Sequence, residues 1–95
     1  MDFRVDTSQL SEEDENYPEL LRDFLRNRID VALHASKEAV TLTFEEGEES
    51  LLRPRRIRQL LKKFIHRRNL TGDFRVISGG ENALVIGRRR KREPY

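Results

Sequence analysis

The chain has no cysteine and no tryptophan, and only three prolines, five glycines and 7% aromatic residues among its 95 positions. Without cysteine there is neither a disulfide framework nor a thiolate metal site, so packing and hydrogen bonds alone must hold the fold. Apolar runs are far shorter than the roughly 20 residues that cross a bilayer, and no membrane partner is expected. Met1 to Leu10 lacks the basic, then apolar, then small-residue succession of a secretory signal, and the expectation is a cytosolic protein. A chain of this length builds one domain around one modest core, which excludes a catalytic cleft between two domains.

Acidic residues are scarce in the second half. Residues 1–50 carry five basic and fourteen acidic side chains, net −9, whereas residues 51–95 carry fourteen basic and three acidic ones, net +11. The overall +2 therefore conceals two opposite halves. A basic segment of this density suits a polyanion, because each Lys or Arg that neutralises a phosphate releases condensed counterion. The alternative is a protein that simply keeps opposite charges on opposite faces.

Residues 1–16 contain Asp2, Asp6, Glu12, Glu13, Asp14 and Glu15 with few apolar side chains, and are expected to form a flexible acidic arm. From Asn16 the pattern changes. Asn16 or Tyr17 can cap a helix, Pro18 suits its first turn, and Leu20, Leu21, Phe24 and Leu25 form one stripe ending near Arg28. Ile29, Val31 and Leu33 alternate with polar or small residues, as do Val40, Leu42 and Phe44, which predicts a hairpin with one buried face. Glu45 to Glu49 make an acidic loop.

A second helix opens at Pro54 and places Ile57, Leu60, Leu61, Phe64 and Ile65 at i, i+3, i+4, i+7 and i+8. Asn69 is its predicted left-handed stop, with Leu70 packing back on the last turn. Phe74, Val76 and Ile77 begin another strand, Gly79 and Gly80 provide a turn that tolerates positive φ, and residues 83–86 return. The expected fold class is α+β: one compact domain, residues 17–87, in αββαββ order, with two helices packed on one face of a mainly antiparallel sheet. A basic tail, residues 88–95, follows.

With its apolar stripe turned inward, the second helix exposes Arg55, Arg56, Arg58, Gln59, Lys62, Lys63, His66 and Arg67, flanked by Arg53 and Arg68. Six of these cations crowd a helix about 20 Å long that contains no acidic residue. Solvated helices normally intersperse Glu with Lys for i, i+4 support, so this face accepts self-repulsion that a phosphate-bearing partner would relieve. An internal screen by the acidic arm or loop is the competing explanation. Arg75 and the tail residues Arg88, Arg89 and Arg90 would extend the track, and the tail could equally serve as a nuclear or nucleolar address. Phe24, Phe44, Phe64 and Phe74 lie on apolar faces, which favours recognition of RNA shape and backbone over stacking of single-stranded bases.

Enzymatic readings find little support. His34 and His66 have no second ligand at metal spacing, and Glu45–Glu49 lack the ligand alternation of a calcium loop. No helix follows Gly79 and Gly80, so they are hairpin residues and not a phosphate-binding loop. Neither cofactor, catalysis nor small-molecule substrate is expected.

These residues resemble a known family, the eukaryotic-type large-subunit ribosomal protein twenty-two, which is distinct from the bacterial protein sharing its number. The family's Phe-Leu-x-x-Arg-Ile-x-Val pattern is similar to Phe24, Leu25, Arg28, Ile29 and Val31. Its paired lysines, aromatic and aliphatic residues, basic residues and Asn-Leu are similar to Lys62, Lys63, Phe64, Ile65, Arg67, Asn69 and Leu70. A further strand pattern looks like Phe74, Arg75, Val76 and Ile77, and the resemblance spans roughly residues 17–88. It implies an α/β domain on the surface of the large subunit of a cytosolic ribosome, contacting ribosomal RNA through Arg55, Arg58, Lys62, Lys63 and Arg67 and touching neighbouring ribosomal proteins. Relatives tend to have a basic N-terminus and an acidic tail, the reverse of the charge order here. The other class to be tested is a protein-interaction module whose basic face docks on an acidic protein, masked by its own acidic arm.

Overall fold

The computed structural model describes residues 1–48 and 53–89. The elements are β1 (Asp2–Asp6), α1 (Ser8–Glu13), α2 (Tyr17–Arg26), β2 (Ala32–Ala35), β3 (Ala39–Thr43), α3 (Pro54–Arg67), β4 (Phe74–Ser78) and β5 (Ala83–Arg88). They form an α+β domain around a five-stranded sheet of order β2-β3-β1-β5-β4, antiparallel at every junction except β1 with β5, which is parallel. Two helix-hairpin units stand in the expected order, and β1 and α1 precede them.

Those two elements correct the reading of residues 1–16 as a flexible arm. β1 is the central strand: Phe3 pairs with Leu42, and Val5 pairs with Val40 on one side and Leu84 on the other. Phe3 and Val5 are 2% and 0% exposed. Asp2, Arg4 and Asp6 alternate away from them, so five residues supply one apolar face and complete the hydrogen bonding of both halves of the sheet. In α1, Leu10 is fully buried while Glu12 and Glu13 face solvent.

The sheet's apolar face carries Phe3 and Val5, Val40 and Leu42, Phe74 and Val76, and Leu84 and Ile86. Onto this core α2 contributes Leu21 and Leu25, and α3 contributes Ile57, Leu60, Leu61, Phe64 and Ile65, the five positions its periodicity selects. The helices meet where Phe24 and Phe64 pack edge to face, centroids 5.5 Å apart at 64°. The first hairpin is shorter than its alternation suggests. Ile29 and Val31 pack on the core from the connection after α2, and β2 begins only at Ala32. Arg28 and Ile29 both donate backbone hydrogen bonds to the Leu25 carbonyl, which closes the helix just ahead of that connection.

The end of α3 follows from local chemistry. Asn69 has φ 59°, its N–H donates to the His66 carbonyl at 3.1 Å, and the Leu70 N–H donates to the Ile65 carbonyl at 2.9 Å. This paired closure satisfies two terminal carbonyls and buries Leu70 against the last turn. Asn69→Val places a β-branched side chain in the left-handed region and should cost about 1–2 kcal/mol, whereas Asn69→Gly should be neutral or stabilising. Urea unfolding of both variants checks the pair; equal stabilities would refute it.

At the entrance to α1, Asp6 Oδ1 accepts hydrogen bonds from the Ser8 N–H at 2.9 Å and the Ser8 hydroxyl at 2.7 Å. The N-cap Thr7 makes no side-chain capping bond, is wholly buried, and leaves its hydroxyl without a partner. Thr7→Val keeps the shape and removes an unsatisfied polar group, so the melting midpoint in urea should rise, by about 1 kcal/mol of stability. A loss of stability would show that the hydroxyl has a partner.

Candidate nucleic-acid interface

Burial of one side of α3 divides its other side into two cationic stripes. Arg55, Arg58, Lys62 and His66 recur at i, i+3, i+7 and i+11 along the flank that overhangs β4 and β5. Arg56, Lys63 and Arg67 recur at i, i+7 and i+11 on the flank toward α2. All are exposed except Arg58, which is half-buried with an Nε that meets no acceptor. Arg53 and Arg68 occupy the N-cap and C-cap positions and are exposed.

Among the described residues, no carboxylate forms an ion pair with this helix. The ion pairs among the described residues are Arg22 with Asp23, and Arg88 with Glu12 and Glu13; none reaches a cation between Arg53 and Arg75. Within α3 the like charges at Arg58 and Lys62, and at Lys63 and Arg67, stand one turn apart. Helix α3 is held by its core face despite this repulsion, which leaves its cations on the surface.

The flank toward α2 gains a residue that the helix's own sequence does not announce. Arg28 lies with its guanidinium carbon 3.7 Å from the Phe24 ring centroid, donates from Nη1 to the Phe24 carbonyl at 3.0 Å, and shares that ring with Arg67 at 5.7 Å. Arg68 lies over Phe64 at 5.7 Å. Stacking on rings orients these long side chains while their remaining N–H groups stay available. Only the packing of α2 on α3 brings Arg28 into the patch.

On the opposite flank, Lys62 and His66 share an open cleft of about 510 Å³ with Arg75 from β4 and Arg89 from beyond β5. Arg55 and Arg58 border a smaller hollow beside Phe3, Gly80 and Asn82. Arg75 and Arg89 thus join the helix as expected of an extended track, but Arg88 does not. Its guanidinium makes ion pairs with Glu13 at 3.3 Å and Glu12 at 3.9 Å and lies 5.2 Å from the Phe74 centroid. Arg88 is the last residue of β5, so the boundary expected at residue 87 moves outward by one strand residue. Arg90 and the rest of the expected tail lie outside the described residues.

Among the described residues the acidic segments make no ion pair with α3 either: Glu12 and Glu13 turn to Arg88, and the Glu48 carboxylate accepts the Glu45 N–H at 3.0 Å. Glu49 lies outside the described residues. Among those described, no group of three His, Cys, Asp or Glu side chains comes together as a metal site, and no helix is long and apolar enough to cross a membrane. No family model matches the chain, and no curated protein matches it.

Proposed function

We propose that this chain is an RNA-binding protein of the large ribosomal subunit, and that α3 holds ribosomal RNA by its phosphates. The observation that carries the reading is the cationic surface of α3, mounted on the core and paired with no carboxylate among the described residues. The two stripes grip the backbone, and Arg28, Arg75 and Arg89 widen the grip on either side. The sheet and the other helices fix the spacing of these groups, and no chemical step is required. The likeness of residues 17–88 to the ribosomal family described above supports a place in the cytosolic ribosome beside other ribosomal proteins.

Binding to a structured ribosomal-type RNA hairpin, measured across a salt series, tests this. Contacts with about five phosphates give a log–log salt slope of roughly −3.5 to −4.5. A shallow slope, or weak binding at every salt concentration, would turn the reading toward an acidic protein partner.

A further inference from the structure

We propose that the cleft at the β4 edge of the sheet receives one extrahelical nucleotide of the bound RNA, with the base stacked on the Arg89 guanidinium and the phosphate on the cationic rim. This rests on the RNA reading and specifies its ligand. A regular duplex needs only a convex cationic surface, which the α3 stripes provide. The cleft is concave, and its volume of about 510 Å³ falls in the roughly 300–1,000 Å³ range of small-ligand sites.

Its rim draws Lys62 and His66 from α3, Arg75 from β4 and Arg89 from beyond β5, backed by the buried Phe74 and Val76. Cations that far apart in sequence meet around one hollow only through the tertiary fold. The arrangement matches the two-part chemistry of a nucleotide, a charged phosphate and a flat base with apolar faces.

Arg89 is held in place for this task. Its backbone N–H donates to the Asp73 carbonyl at 2.8 Å and its side-chain Nε donates to the Phe74 carbonyl at 3.1 Å. The terminal guanidinium nitrogens remain as donors on a side chain whose freedom is already restricted, which lowers the entropic cost of binding. A guanidinium plane fixed in this way can also stack on a base.

The strand edge adds specificity. The bonds from the Arg89 N–H to Asp73 and from the Gly79 N–H to Ala83 set the β4–β5 alternation, in which the Val76 N–H and C=O point away from β5. The Phe74 groups on that edge are already satisfied, its N–H by Leu70 and its carbonyl by Arg89. Among the described residues no strand pairs the Val76 N–H and C=O, which leaves one donor and one acceptor beside the cleft that the edge of a base can use.

Three RNA hairpins of one sequence test the proposal: one with a single unpaired nucleotide, one with that nucleotide made abasic, and one fully paired. The wild-type chain should bind the first about tenfold more tightly than the other two, the size expected for one stacked base. Arg89→Ala, an exposed position whose variant can be checked for folding by circular dichroism, should reduce that preference below about twofold, whereas loss of a general phosphate contact alone would weaken all three hairpins alike and leave the preference intact. Equal wild-type affinity for the unpaired and abasic hairpins would overturn the proposal, as would a preference that survives Arg89→Ala. In both cases RNA binding itself would stand; failure of all three hairpins to bind would instead remove the RNA reading on which the cleft depends.

Discussion

A chain lacking residues 1–7 should fail to fold. β1 is the strand through which the β2–β3 hairpin and the β4–β5 hairpin are joined, and its loss opens the centre of the sheet. The backbone groups of β3 and β5 that face β1 would lose their partners, and Phe3 and Val5 would leave voids beneath both helices. Phe3→Ala alone should cost about 3–5 kcal/mol, a large part of the roughly 5–15 kcal/mol that stabilises a typical domain. The truncated chain should show no cooperative thermal transition by circular dichroism and collapsed amide dispersion by NMR. A flexible arm would behave in the opposite way, and an unchanged Tm after truncation would refute the central placement of β1.

That strand escapes sequence reading for a physical reason. Asp2–Asp6 offers only Phe3 and Val5 as an alternation, too few to rise above the acidic composition of the residues that follow. Averaged over residues 1–16, the segment has too little apolar surface to offset its ordering. The averaging hides two side chains that enter a core built from residues far away in sequence, and the parallel pairing of β1 with β5 is as non-local as this chain allows. Ordering is stabilised by a site the rest of the domain prepares, and composition alone carries no sign of that site. In contrast, α3 is legible almost residue by residue. Its five apolar positions, Pro54 at its start and Asn69 at its end are all local signals, and the protein uses each of them.

The candidate interface divides in the same way. Once the apolar face of α3 is fixed, the outward cations follow by elimination, so Arg55, Arg56, Arg58, Lys62, Lys63, His66 and Arg67 are legible from period alone. Which distant cations join them depends on the fold. Arg89 reaches the cleft, where its Nε is held by the Phe74 carbonyl, and Arg88, its neighbour, does not, because α1 brings Glu12 and Glu13 to Arg88. A run of arginines in sequence is therefore not one surface in space. Arg28 makes the converse point: it lies in the turn after α2, yet shares the Phe24 ring with Arg67.

Replacing Arg58, Lys62 and Lys63 together by Ala should move binding and stability in opposite directions. Losing three phosphate contacts makes the log–log salt slope shallower by roughly 2.1–2.7, and affinity at low salt should fall at least about a hundredfold. The same substitutions relieve the like-charge pairs of Arg55 with Arg58, Arg58 with Lys62, and Lys63 with Arg67. At ~0.2–0.5 kcal/mol for each pair, the relief sums to about 0.6–1.5 kcal/mol. Alanine also has the higher helix propensity, and the unpartnered Arg58 Nε disappears. The packing of the half-buried Arg58 stem is lost and offsets part of this gain, so Tm should hold or rise modestly. Such a result would identify the three cations as residues kept for a partner at a cost to the fold. If Tm falls sharply along with affinity, the cations stabilise the domain itself through contacts within the chain, and the loss of binding would reflect unfolding. If Tm holds and RNA binding is unaltered, α3 is not the phosphate surface.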